Sequence, residues 1–262
     1  MSDTTVNDLF ESSADDGVLS EESQSVLEVA DIGEEINAAM GIDADDFESS
    51  EVVLVTMLID DSYSIKSERN EDIVRNGHNM VIDSLQKTKQ ADSILAHTKY
   101  LNGTVLFPYQ SIIQAEKMDN NNYSADGGTP LYDQTAIVMG TVLAKYQEFT
   151  DNGIACRTVT LIVTDGADMH SSKFNTAKKV EPLIRDLLRQ ENHIVAAMGI
   201  DDDYTDFKSV FSEMGIDDNW ILTPDNTESE IRAAFNMFSQ SATQASQSAV
   251  AFSQSAMGGF GN

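Results

Sequence analysis

Five oxygen-bearing side chains stand out in this sequence by type and spacing. Asp60, Ser62 and Ser64 alternate in Asp60-Asp61-Ser62-Tyr63-Ser64, Thr129 lies in Gly127-Gly128-Thr129-Pro130-Leu131, and Asp165 lies in Thr164-Asp165-Gly166. Two carboxylates and three hydroxyls form a set of hard ligands suited to Mg²⁺. Mg²⁺ usually takes one or two carboxylates from a protein and keeps several waters. Hydroxyls bind without adding charge, so an ion held this way stays electrophilic and can accept an acidic group from outside. Each cluster alone has an ordinary explanation. Ser62 or Ser64 can cap a following helix, and Asp-Gly after a strand is common turn chemistry. It is their joint occurrence, each at the end of a suitable element, that singles them out.

Those elements follow from the hydrophobic pattern. Val52–Asp60 reads as a fully buried strand, apolar or β-branched up to its final Asp. Glu68 to about Gln90 is expected to be a helix with Ile73, Gly77, Met80, Val81 and Leu85 on one face. Ser93–Leu101 and Thr104–Pro108 read as strands joined by the turn pair Asn102-Gly103. Leu131 to Phe149 is expected to be helical and Arg157–Thr164 a second buried strand. Then come a helix from Phe174 to Gln190, a strand over His193–Ile200, a helix over Asp206–Met214 and a short strand at Trp220–Leu222. This alternation predicts an α/β fold: a doubly wound, mostly parallel, Rossmann-like sheet with one antiparallel edge strand and flanking helices. In such sheets ligands sit at the carboxyl ends of strands, which is where the polar clusters fall.

Taken together, Asp60-x-Ser62-x-Ser64, Thr129 in Gly-Gly-Thr-Pro-Leu and Asp165 in Thr-Asp-Gly resemble the metal-ion-dependent adhesion site of von Willebrand factor type A domains. The resemblance spans roughly Val52 to Phe238. It implies Mg²⁺ or Mn²⁺ on the upper edge of the sheet. Ser62, Ser64 and Thr129 would ligate the ion, Asp60 and Asp165 would act directly or through water, and a partner protein's carboxylate would complete the shell. Tyr63 departs from the pattern, since many members have Gly there; its ring would crowd or line the site. Gly-Gly-Thr-Pro-Leu and Thr-Asp-Gly-Ala-Asp are similar to intracellular prokaryotic members, which implies an adaptor in an AAA+ ATPase or stress-response assembly.

An enzyme is the alternative. A haloacid-dehalogenase-type phosphotransferase also ends its first strand in Asp but needs a second acid two residues on, where this chain has Ser62. His78, His97, His170 and His193 lack ligand spacing, and Cys156 has no recognisable His partner. A metal-dependent hydrolase or a purely structural subunit thus ranks behind a binding module.

Charge bounds the partners. The 262 residues hold 44 acids against 16 bases, a net charge of −28. That disfavours nucleic acid and anionic membrane surfaces as partners. One cysteine excludes an internal disulfide, and nothing reads as an export signal, so a cytoplasmic location is expected. Residues 1–51 carry 16 acids and no Lys or Arg. This composition reads as a largely disordered leader, with one possible short helix using Val26, Leu27, Val29, Ile32, Ile36 and Met40. Its carboxylates are candidates for internal occupants of the metal site. Residues 52–238 form the expected α/β domain. In 239–262 a Ser-Gln-Ser-Ala unit recurs every seven residues, and Phe235, Phe238, Ala242, Ala245, Ala249, Phe252 and Ala256 alternate steps of three and four. That is a coiled-coil-like seam, expected to assemble with another helix.

Overall fold

The computed structural model describes residues 5–29 and 32–260. The chain begins with helices α1 (Val6–Asp15), α2 (Glu21–Val29) and α3 (Gly33–Met40), then enters strand β1 (Glu51–Ile59). A short helix α4 (Tyr63–Ser67) precedes α5 (Glu71–Gln86), and the hairpin β2 (Ile94–Tyr100) and β3 (Val105–Ser111) follows. Next come α6 (Leu131–Asp151), β4 (Ala155–Thr164), α7 (Glu181–Arg189), β5 (His193–Gly199), α8 (Phe207–Glu213) and β6 (Ile221–Leu222). Helices α9 (Glu228–Ala245) and α10 (Ala249–Gly258) close the fold.

Six strands form one sheet in the order β3-β2-β1-β4-β5-β6, parallel throughout except for β3. β1 lies at the centre, with β2 on one side and β4 on the other, so the chain reverses its winding direction there. A strand covered on both faces must be apolar on both. β1 is buried from Val52 to Ile59, with Thr56 its only polar side chain in that run. Pro108 sits in β3, at the edge, where its missing N–H costs the sheet no internal ladder bond. Helices α5 and α9 pack together on one face, and α6 and α7 lie on the other. The α5–α9 approach is close because Gly77 has no side chain; a Cβ there would stand 2.2 Å from the Phe235 ring. The helix expected over Phe174 to Gln190 starts only at Glu181, where Pro182 favours the first turn. No helix among the described residues is long and apolar enough to cross a membrane.

Residues 5–29 and 32–51 depart from the expected disorder. Val6, Leu9, Val18, Leu19, Val26, Leu27, Ile32 and Ile36 are buried in the main core; the Val29 side chain and residues 1–4 lie outside the described set. The reason is α6, which is buried on nearly every side and would otherwise show an apolar outer face to water. Gly140 lets that cover approach, since a Cβ there would sit 3.0 Å from Ile36 Cδ1 and Leu27 Cδ2. Polar ties hold the segment down. Glu35 pairs with the buried Lys99 at 2.6 Å, and the Ser20 N–H, Ser20 hydroxyl and Ser23 hydroxyl all donate to Asp186 on α7. Position 51 therefore marks a change in charge and not a structural boundary.

The heptad tail also differs from expectation. The helix breaks after Ala245, and Ser248 caps α10 by accepting from Ala251 N–H at 3.1 Å. Phe235, Phe238, Ala242, Ala245 and Phe252 are buried in the chain's own core, while Ala249 is exposed. The seam expected to meet another helix is thus largely used within the chain. α10 is seated by Phe260, whose ring meets Trp220 edge to face at 4.8 Å.

Candidate metal-binding site

β1 and β4 are in register, with Ile59 opposite Val163, so Asp60 and Thr164-Asp165 emerge at the same height. The Asp60 N–H donates to Val163 O at 3.0 Å. Both Asp60 carboxylate oxygens are engaged: Oδ1 accepts from Ser62 N–H at 2.7 Å, and Oδ2 accepts from the Thr164 hydroxyl at 2.6 Å. Tyr123 donates its hydroxyl to the Asp60 carbonyl at 2.6 Å. Asp60 thereby fixes the start of the serine loop. Ser62 occupies the N-cap position of α4, yet its side chain makes no capping bond. Its hydroxyl instead meets that of Ser64 at 2.8 Å, and Ser64 donates to Asp165 Oδ1 at 2.5 Å. The capping role open to Ser62 in the sequence is therefore not the one its hydroxyl takes.

Thr129 arrives on the opposite wall. An isolated bridge joins Ser62 to Gly127, with Tyr63 N–H on Gly127 O at 3.0 Å and Gly127 N–H on Asp61 O at 2.9 Å. The Thr129 N–H donates to His170 Nδ1 at 2.9 Å, and Met169 N–H returns to Thr129 O at 3.1 Å. Gly128 is needed here, because a Cβ would collide with the His170 ring at 2.7 Å. The loop after β4 is stapled to the start of α6: Asp168 and Ser171 accept from Tyr132 and Asp133 N–H. Asp133 in turn accepts from the N–H groups of Ser172, Lys173 and Phe174. Ser64, Thr129 and Asp165 line one open cleft of about 780 Å³. The structure thus joins Asp60, Ser62, Ser64 and Asp165 in one hydrogen-bonded chain and sets Thr129 on the same cleft.

The electrostatics are unbalanced. Asp60, Asp61 and Asp165 are all buried, and none has an ion-pair partner among the described residues. Burial pushes the Asp60 carboxyl upward from its ordinary range. Burial, then the neighbouring Asp60 charge, pushes Asp165 up to about 7; burial pushes Asp61 up to about 7 as well. Asp165 Oδ2 and Asp61 Oδ2 are buried without any hydrogen-bond partner. A buried carboxylate oxygen in that condition is costly; protonation relieves it, and so does a bound cation. Among the described residues no three His, Cys, Asp or Glu side chains converge as ligands. The set that converges is mixed, and carboxylates with hydroxyls suit a hard divalent ion. Tyr63 is 64% exposed and is not among the residues that line the cleft.

Several supporting residues escape sequence reasoning. Thr164, Tyr123 and His170 touch site residues 104, 63 and 41 positions away. Only Thr164, beside Asp165 at a strand end, carried any local signal. The other histidines lie elsewhere: His78, His97 and His193 are buried, and burial pushes the Cys156 thiol upward. No described residue of 1–51 lines the cleft, so no acidic side chain among them substitutes there for a partner's acid.

The fold resembles that of the pilus adhesin SpaC from Lactobacillus rhamnosus GG. The TM-score is 0.55 at 12% identity, over 75% of this chain and 31% of that one. Its open conformation gives 0.53 at 12% identity, over 75% and 30%. The proximal thread matrix protein 1 of the mussel byssus gives 0.48 at 17% identity, over 77% and 47%. This chain thus spans about a third of the adhesin's length and about half of the thread protein's. No family model and no curated protein matches the sequence. With its central β1, single antiparallel edge strand and helices on both faces, the chain has a von Willebrand factor type A-like α/β fold.

Proposed function

We propose that this chain is a non-enzymatic protein-interaction module that works through a divalent cation, Mg²⁺ or Mn²⁺, held by Asp60, Ser62, Ser64, Thr129 and Asp165. The carrying observation is the Ser62–Ser64–Asp165 chain, which leaves a helix cap unmade and ends on a carboxylate whose other oxygen, Oδ2, is buried without a partner. When bound, the ion supplies the positive charge that draws in a carboxylate of a partner protein. The chain's own residues divide the remaining work. Asp60 has both oxygens engaged and organises the loop. Asp60 and Asp165 would hold the ion directly or through water, and the hydroxyls of Ser62, Ser64 and Thr129 would complete the set without adding charge. The narrower placement is a cytoplasmic adaptor in an AAA+ ATPase or stress-response assembly. It rests on the likeness of Gly127-Gly128-Thr129-Pro130-Leu131 and Thr164-Asp165-Gly166-Ala167-Asp168 to intracellular prokaryotic sequences.

Calorimetry with Mg²⁺ and Mn²⁺ tests the site. The chain is expected to bind one ion, and Ser64→Ala is expected to weaken binding roughly tenfold or more, with the circular dichroism spectrum unchanged. Equal affinity in that variant would remove the assignment. A generic phosphatase substrate turned over in Mg²⁺ would favour a hydrolase instead.

A further inference from the structure

The cleft that holds Ser64, Thr129 and Asp165 is walled by five further acids: Glu68, Asp201, Asp202, Asp203 and Asp225. Its lining contains no Lys, Arg or His. None of these five acids takes part in an ion pair among the described residues, although the chain makes such pairs widely elsewhere. Their carboxylates come from three separate segments, the end of α4, the loop after β5 and the loop before α9. They are therefore brought together by the fold and not by a local run. Two large apolar side chains stand among them almost fully in water, Tyr204 at 94% and Met169 at 78% exposure. The same cleft is lined by Asp165, whose Oδ2 is buried without a hydrogen-bond partner.

This arrangement conflicts with a simply acidic ligand. A divalent ion contributes two positive charges, while the lining contributes six negative ones, counting Asp165. A partner carboxylate reaching the ion crosses that field and adds to it, and the chain as a whole carries −28. A partner that brings lysines or arginines on either side of its carboxylate meets the opposite field. Their aliphatic stems can lie on Met169, and the Tyr204 ring offers its face to a cation. We infer that the cleft selects a basic protein segment carrying one acidic residue, the acid for the ion and the flanking Lys or Arg for the walls. This inference rests on the metal-site reading above for the acid, but not for the basic flanks.

Three synthetic nonapeptides separate the parts, each titrated calorimetrically into the full chain with Mg²⁺ and again with a chelator. One has a central Glu flanked by lysines, the second replaces the lysines with serines, and the third keeps the lysines but replaces Glu with Gln. The lysine-flanked Glu peptide is expected to bind best in Mg²⁺, roughly tenfold or more above the serine peptide, and to weaken with added salt. A combined Glu68→Gln, Asp203→Asn and Asp225→Asn variant should lose that preference while still binding Mg²⁺ alone. Asn suits position 203, where φ is +65°. Equal or tighter binding of the serine peptide, or no binding by any of the three, overturns the inference. If both lysine peptides bind equally with and without chelator, the basic selection stands and the metal-site reading fails.

Discussion

Asp60 and Asp165 are two acids one strand apart with different duties. Asp60 spends both oxygens on the chain itself, and the Thr164 hydroxyl is the shorter of its two contacts at Oδ2. Thr164→Val keeps the shape and removes that donor. It is expected to cost about 1–3 kcal/mol in urea unfolding, the penalty for a buried acceptor losing its partner, and to weaken Mn²⁺ binding in parallel. Unchanged stability would show that Asp60 is held by its backbone contacts alone. The buried histidines make a separate prediction about acid. Burial lowers His78 and His97 to about 4 and His193 to about 3, against an ordinary value near 6.5. The unfolded chain therefore binds more protons in that interval, and stability from these groups is present above pH 6.5 and lost as pH falls toward 4 and below. The raised carboxyls of Asp61 and Asp165 act in the opposite sense between about pH 4 and 7, so the net slope mixes both signs. A difference measurement isolates one group. His193→Gln should reduce the pH dependence of stability between pH 6.5 and 4 by about 1.4 kcal/mol per pH unit. An identical slope in the variant would show that His193 charges without cost.

At the scale of elements, closeness is set by glycine. Gly77→Ala on α5 gains about 1 kcal/mol of helix propensity. The added methyl, however, meets a Phe235 ring that is fully buried and cannot swing away. Overpacking costs about 1–3 kcal/mol, so the variant is expected to melt lower than the parent; a higher melting temperature would mean that α9 shifts freely along α5. Strands β1, β4 and β5 were legible in sequence because each is dominated by apolar and β-branched residues, as a strand covered on both faces requires. Of the candidate site residues, Asp60 and Asp165 stand out for the same reason, since they follow the last residues of β1 and β4, whereas Thr129 lies just before α6. What could not be read was mutual cover. Leu27 and Ile36 look like sparse apolar residues in an acidic segment until α6 is seen to be apolar on its far side as well. The seam from Phe235 to Phe252 shows a period but not a partner, and one serine cap at Ser248 redirects it inward.

For the molecule as a whole, the acidic first segment is a structural wall. Each of its large buried side chains contributes about 1.5–3 kcal/mol, against a net stability of about 5–15 kcal/mol for a typical domain. Deleting residues 1–51 is therefore expected to yield a chain that aggregates or binds a hydrophobic dye, not one with a freer metal site. A soluble truncated protein with a sharp thermal transition would refute this. The charge distribution fits the same picture: Val6, Leu9 and Ile36 face inward, and the carboxylates of α1 to α3 are left on the outside.

The chain has one tryptophan, and its position makes it a built-in optical probe. Trp220 is 2% exposed, its indole Nε1–H points at the Ala256 carbonyl at 3.4 Å, and Phe260 covers one edge. Its emission colour therefore reports whether the last helix is seated. A red shift on adding a ligand at the cleft would mean that the tail lifts off in response, while a constant spectrum would mean that signal and cleft are independent.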